Sequence, residues 1–374
     1  MKIGVDLTFL KPKKTGGIEF YVINLLNGLF RNDNKNEYYL FMAKDNIDYF
    51  KEKFESKKVN YILCNTYANK IVSHLLWQIT RENGLFKKYN IDLGFYPSYM
   101  MPFFKPRSYK TVTVIQDLQA DHYPEYFPLS QRIWFKIAWK KLMFTADKII
   151  TTTEYTKKDI EKRYKHKNNI ESIFIPIILN NDEILDFNEI KSKYDIERGS
   201  YYYTVLSMLK HKNLITLVKM IKKIKDKNIG DIPHKLLVSG VNGPAKEELV
   251  KKIKEMNLEE EIILTGFVSN SERNTLIKNC NVFLFPSIFE GFGMPPVEAM
   301  HFGARVITTK KASLPEVTMG KCNYVNNPTD ESEWIKMIKK VQNKSPRKID
   351  FKEFDQDFIA KKYLRAFNEV MKGR

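Results

Sequence analysis

The chain has 374 residues, 43% hydrophobic and 28% charged, which suits a globular protein large enough for two separate cores. Its net charge of +18 comes without zinc-finger spacing or an RNA-binding aromatic signature, so nucleic acid is not an expected partner. Three widely spaced cysteines (Cys64, Cys280 and Cys322), no metal-site spacing and no apolar run near the roughly 20 residues of a membrane span lead us to expect a cytoplasmic protein without a signal peptide. Two explanations of the charge stay open. It is either lysine bias spread over solvated helix faces, or attraction to an anionic membrane surface.

In chain order, Ile3 to Leu7 reads as the first strand. Gly16-Gly17 then opens a helix whose apolar face is Ile18, Val22, Leu25, Leu26 and Leu29. Further strands are expected at Asn60 to Leu63, Leu93 to Tyr96, Thr111 to Ile115 and Lys148 to Thr152, and Phe174-Ile-Pro176 closes this half. Between Gln131 and Phe144 lies an aromatic and basic stretch in which Arg132, Lys136 and Lys140 recur every four residues. A mostly buried helix is the simpler reading of it. Contact with a membrane surface or a lipid-linked acceptor is the sharper one.

Asn180-Asn-Asp-Glu183 reads as a linker. The strand pattern then restarts at Tyr202 to Leu206, Leu236 to Ser239, Ile262 to Leu264, Val282 to Phe285 and Val306 to Thr308, and Asp355 to Lys372 forms a final helix. Short apolar strands alternating with amphipathic helices are the pattern of open parallel sheets. The expected fold class is therefore α/β, with two Rossmann-like domains facing each other across a cleft, residues 1–178 and 179–354.

The most informative segment is Phe285-Pro-Ser-Ile-Phe-Glu290-Gly-Phe-Gly-Met-Pro-Pro-Val-Glu298. A buried strand, a glycine turn and a helix entered through prolines make a phosphate-binding corner. Glu290 falls in the turn and Glu298 about one turn into the helix. Carboxylates do not bind phosphate, but they suit hydroxyl-rich groups on either side of a diphosphate, which points to a nucleotide sugar. With Glu290-Gly-Phe-Gly, Pro296-x-Glu298 and the trailing Ala312-Ser-Leu-Pro-Glu316-Val in order, the segment resembles the Glu-x7-Glu signature of the family-4 retaining glycosyltransferases, which have the two-domain GT-B fold.

The resemblance implies a role for each matching residue. Glu290, with Gly291, Phe292 and Gly293, would hold the hydroxyls of the donor sugar. Met294 and Pro295 would border the phosphate, and Glu298 would accept from the ribose, while Gly266, Phe267 and Val268 lie where the family packs its base. Lys212 matches a lysine that neutralises the diphosphate. The arginine that usually precedes it is missing at Ser207 or Met208, and Lys210 is its nearest substitute, without a guanidinium fork. Gly16 and Gly17, in Thr15-Gly-Gly-Ile-Glu19, match a glycine loop facing the diphosphate. Gln116-Asp117 stands where relatives usually read His-Asp, with an amide in place of the histidine; with Glu290 and Lys212 these are the catalytic candidates the resemblance implies, and His122 is a nearby loop histidine. In the family the final helix crosses back to the first domain.

Bland readings stand beside these: a turn for Gly16-Gly17, a solvated helix-entry lysine for Lys212, a dipole-satisfying glutamate for Glu298. The activity implied is metal-independent and cofactor-free hexose transfer, with retention, from a nucleotide diphosphate sugar to a glycan or lipid-linked glycan acceptor. The protein would then act in surface polysaccharide synthesis, on or near the inner face of the membrane. A non-catalytic sugar-nucleotide-binding subunit is the alternative suggested by Gln116 and the missing arginine.

Overall fold

The computed structural model describes residues 1–12, 16–54, 59–102, 104, 106, 108–165, 169–179 and 183–373. The linker expected at Asn180 to Asp182, and Thr15 of the glycine loop, lie outside the described residues. The chain forms two compact units, Met1–Ile178 with Lys352–Arg374, and Leu179–Phe351.

The first unit holds seven strands: β1 (Lys2–Asp6), β2 (Glu37–Met42), β3 (Val59–Leu63), β4 (Leu93–Tyr96), β5 (Lys110–Ile115), β6 (Lys148–Thr151) and β7 (Ile170–Ser172). They pair in parallel in the order β3-β2-β1-β4-β5-β6-β7. The second unit holds β8 (Tyr201–Val205), β9 (Lys235–Ser239), β10 (Ile262–Gly266), β11 (Val282–Phe285), β12 (Val306–Thr309) and β13 (Asn323–Val325), also all parallel, in the order β10-β9-β8-β11-β12-β13. In both, the chain winds outward from the middle strand, then crosses back and winds the other way. The order reverses between β1 and β4, and between β8 and β11. Such reversal points leave a crevice at the carboxyl ends of the strands, where doubly wound sheets bind ligands.

Central strands are covered on both faces, which is why β4, β6, β11 and β12 are fully buried. Three strands lie outside the expected set. β2 has the aromatic run Tyr38-Tyr-Leu-Phe-Met42 that marks a strand buried between neighbours. β7 and β13 are three-residue edge strands, too short for any periodicity to register.

Helix Gly17–Asn32 buries Tyr21 together with the expected Val22, Leu25, Leu26 and Leu29, while Ile18 is only half-buried. This face meets the final helix, Gln356–Met371, which is capped by the Asp355 carboxylate accepting from the Phe358 amide at 2.8 Å. Tyr21 and Tyr363 share a buried hydroxyl–hydroxyl bond of 2.8 Å, and Arg31 donates to Asp357 at 2.9 Å. Gly28 lets the two helices approach, since a Cβ there would sit 2.9 Å from the carbonyl oxygen of Gln356.

The reading of Gln131 to Phe144 as a mostly buried helix is overturned. Helix Leu129–Thr145 buries only Ala138, Trp139, Leu142 and Met143, and leaves Leu129, Ile133, Ile137 and Phe144 exposed. Its apolar residues are distributed around the whole circumference, so burial of one face necessarily leaves others in solvent.

The packing of the final helix predicts opposite effects at two helical glycines. Gly28→Val should cost about 1–3 kcal/mol through overpacking. Gly84→Ala, where a Cβ meets nothing within 4 Å, should instead add up to about 1 kcal/mol. Urea melts of the two variants beside the wild type check both signs.

Candidate active site

The loops that follow β8 and β11 carry the motif residues, and the sheet topology sets them side by side. After β8 the chain passes Leu206 to Leu209 and makes a single 3-10 turn, Lys210–Lys212. Asn213 adopts the left-handed conformation (φ 55°) and starts helix Leu214–Asp226. Asparagine tolerates that region better than most residues. Its amide donates to the carbonyl of Pro286 at 3.2 Å and of Pro328 at 2.9 Å, and its side-chain oxygen accepts from Thr216 at 2.8 Å.

The second loop, Pro286 to Gly293, is bound to the first. The Ile288 amide donates to the His211 carbonyl at 2.9 Å, and the Ser287 hydroxyl reaches the same oxygen at 3.3 Å. Above this backbone tie, Lys212 Nζ lies 2.6 Å from Glu290 Oε1, with the two side chains only 13% and 11% exposed. The same ammonium stands 5.9 Å from the centre of the Phe285 ring.

The glycine turn is clamped from a third segment. Ser313 donates to the carbonyls of Glu290 (2.8 Å) and Phe292 (3.0 Å), and Thr309 donates to that of Ser287 at 2.6 Å. Gly293 sits at φ 93°, a backbone conformation that demands glycine, and it packs close under Leu314, whose Cδ2 would lie 2.7 Å from a Cβ there. Ala312-Ser-Leu-Pro-Glu316 thus has a physical reason to follow the motif: Ser313 and Leu314 hold its turn.

Gly293 caps helix Met294–His301. Pro295 and Pro296 bring no N–H, so the end of this helix offers the amides of Gly293 and Met294, plus its dipole. Glu298, one turn in, has the guanidinium of Arg273 3.8 Å away. Arg273 lies on helix Asn270–Asn279, and no motif in that stretch signals it.

Phe267 follows Gly266 (φ 72°) at the end of β10 and is 81% exposed, and Val268 is half-buried beside it. A largely exposed aromatic ring at a strand's carboxyl end is a ready stacking surface. Lys210 is exposed and does not join the Lys212–Glu290 group. It lines a separate cavity of about 230 Å³ with Met208, Leu214, Ala245 and Glu248.

In the first unit, Gly16 (φ 59°) and Gly17 are exposed at the start of their helix. Gln116, just past β5, donates its amide to the Pro97 carbonyl at 2.8 Å, and its own carbonyl accepts from Thr152 and Thr156. Asp117 caps the amide of Gln119 at 2.8 Å. Gln116 therefore fastens together the segments beyond β4, β5 and β6, while Asp117 shapes its own turn. His122 pairs with Asp159 at 2.6 Å and with Arg163 at 3.0 Å, which makes it part of a local ionic group.

Two doubly wound parallel units, each reversing strand order at its centre, define a GT-B architecture. Known proteins agree. The Glycosyl transferases group 1 family model matches residues 186–359. The O-antigen chain mannosyltransferase RfbU of Salmonella typhimurium is 26% identical over 308 residues, 81% of each chain, and the O-antigen chain mannosyltransferase B of Escherichia coli is 23% identical over 345 residues, 89% of each. The Anabaena protein HepE, crystallised with UDP and glucose, superposes with a TM-score of 0.74 at 15% identity, over 99% of this chain and 100% of that one. Residues 186–359 belong to the group 1 glycosyl transferases, and these likenesses together indicate a family-4-type glycosyltransferase of the GT-B fold. Relatives named as transferases lend no support to a non-catalytic subunit.

His211, whose carbonyl ties the two loops, has its imidazole buried. Burial first, and the Lys212 charge second, hold its pKa down at about 3 instead of 6.5. The unfolded chain takes up this proton below about pH 6.5, and the folded chain only near pH 3. The stability contributed by neutral His211 is thus complete above pH 6.5 and lost as pH falls toward 3, by at most about 1.4 kcal/mol per pH unit. Urea melts at pH 7 and pH 5 should show His211→Gln losing less stability on acidification than the wild type.

Proposed function

We propose that the second unit binds a nucleotide diphosphate sugar and that the protein transfers its hexose, with retention, to a glycan acceptor on a lipid carrier in surface polysaccharide synthesis. The observation that carries this reading is the Lys212–Glu290 contact of 2.6 Å at the reversal point between β8 and β11. It puts a cation for phosphate and a carboxylate for hydroxyls at adjacent positions, as the junction of a sugar and a diphosphate requires.

In this reading Lys212 and the Met294 helix end face the diphosphate. Negative charge grows on that group as the sugar–phosphate bond breaks, so fixed positive charge there stabilises the transition state more than the ground state. Glu290, with the turn from Gly291 to Gly293, holds the sugar, Glu298 the ribose, and Phe267 with Val268 the base. Retention needs no side-chain base, because the departing phosphate oxygen takes the acceptor proton on the same face. Gln116 and Asp117 then serve on the acceptor side by holding loops in shape, and Gly16 and Gly17 leave the backbone at the start of their helix open to solvent.

The relatives named mannosyltransferases make GDP-mannose the first donor to test, with UDP-glucose as comparison. Thermal shifts of wild type and Glu298→Ala check the site. A stabilisation of several degrees by one donor, at least halved in the variant, is expected. No shift with any nucleotide sugar would sink the reading.

We also propose that the first unit rests on an anionic membrane. No helix among the described residues is long and apolar enough to cross one. Instead, exposed Leu129, Ile133 and Ile137 recur every four residues beside a stripe of Arg132, Lys136 and Lys140. Exposed Val72 and Leu76 stand on helix Ile71–Trp77, which shares a pocket with that helix through Leu75, Trp134 and Ile137. Apolar residues flanked by cations are the makings of an interfacial surface. Sedimentation with phosphatidylglycerol vesicles should fall at least about tenfold when Arg132, Lys136 and Lys140 all become Glu, each charge near the surface contributing about 1 kcal/mol. Equal binding would remove the proposal.

A further inference from the structure

The two groups expected to grip opposite sides of a donor, Lys212 and Glu290, grip each other in this structure. Lys212 and Glu290 stand 2.6 Å apart, and neither side chain is more than 13% exposed. The carboxylate is also backed by fixed structure, since Ser313 holds its own carbonyl and Gly293 closes the turn behind it. A ligand that draws Lys212 away leaves a nearly buried carboxylate behind, without its cation and beside incoming negative charge. Removing one member of a buried ion pair is far costlier than making the pair is favourable.

We infer that Glu290 sets the selectivity of this site for the intact nucleotide sugar over the nucleoside diphosphate released after transfer. The inference rests on the donor-site reading proposed above. A nucleoside diphosphate offers Lys212 a better anion but gives Glu290 nothing, so part of its attraction is consumed in breaking the pair. A nucleotide sugar draws Lys212 to the diphosphate and replaces the ammonium at Glu290 with sugar hydroxyls. The sugar thereby contributes twice, once through its own hydrogen bonds and once by sparing a stranded charge. Specificity is a difference between two affinities, and here most of it comes from penalising the wrong ligand. The consequence for turnover is that transfer of the sugar removes the donors that Glu290 was using. The carboxylate then reclaims Lys212, and the product diphosphate is loosened at the moment it must leave.

Arg273 gives an internal comparison. It stands 3.8 Å from Glu298, too far for a direct hydrogen bond, so the ribose carboxylate is not held in the same grip. The inference therefore concerns Glu290 alone.

The experiment is isothermal titration of the wild type, Glu290→Gln, Glu290→Asp and Lys212→Met with GDP and GDP-mannose, and with UDP and UDP-glucose. Circular dichroism melts verify that each variant is folded. Glu290→Gln keeps an oxygen that can accept from the sugar but no longer binds the ammonium as an ion. It should take the nucleoside diphosphate about tenfold more tightly than the wild type, while the nucleotide sugar changes much less. The affinity ratio of sugar to diphosphate then shrinks. Glu290→Asp keeps the charge and should keep the diphosphate weak, and Lys212→Met should weaken both ligands. In steady-state assays, inhibition by the diphosphate should deepen in Glu290→Gln. Diphosphate binding that is unchanged or weaker in folded Glu290→Gln, with Lys212→Met still losing both ligands, overturns the inference and leaves the donor site standing. Failure of the wild type to bind any of the four nucleotides overturns the donor-site reading and the inference with it.

Discussion

The second unit depends on one junction, the tie between the loops leaving β8 and β11. Parallel strands that reverse order cannot be joined by a short turn, so the two loops meet only because the sheet brings their ends together. Once there, they are bound through the Ile288 amide and the His211 carbonyl, with Asn213 reaching across to Pro286. Lys212 and Glu290 are both outgrowths of this tie. Lys212 follows the tied carbonyl by one residue, and Glu290 follows the tied amide by two. Their 2.6 Å contact is therefore set by backbone hydrogen bonds that involve neither side chain.

That dependence explains why the geometry of the second loop is legible in the sequence. The run from Phe285 to Glu298 contains its own instructions: an apolar strand, glycine where φ must be positive, prolines where a helix begins and carboxylates at fixed distances from both. Local chemistry determines local geometry, and reading it requires no knowledge of the rest of the chain. Lys212, 78 positions from Glu290, could be found only through resemblance, because nothing local to it mentions the second loop. Asn213, Ser313 and Arg273 were harder. Their contributions are bonds to distant carbonyls or carboxylates, and a sequence records a hydroxyl or an amide without recording which oxygen it will meet.

The misreadings of the fold have the same origin. β7 and β13 hold three residues each, so their identity comes from the neighbouring strand rather than from their own pattern. Helix Leu129–Thr145 failed in the opposite sense. Its composition suggests burial, but burial depends on how many sides of a helix find a neighbour, and this one finds too few. Leu129, Ile133, Ile137 and Phe144 are left in solvent at positions where a chain this basic also places lysines. The charge of +18, ambiguous as a total, acquires meaning only where it lies beside exposed apolar residues.

The second unit and the first illustrate two ways of treating charge. In the second unit the Lys212–Glu290 pair is nearly buried, so each member is poised to exchange one partner for another when a ligand arrives. In the first unit, the Leu129–Thr145 stripe is exposed and many-valued, so no single lysine is decisive and the sum matters. Buried pairs discriminate because a stranded charge is expensive, whereas exposed stripes attract without discriminating. The function proposed above, which has to distinguish a sugar nucleotide from its product and to wait on a surface for an acceptor, would draw on both kinds. The physical difference between them is the degree of burial, and that is decided by the fold around each charge rather than by the number of lysines in the chain.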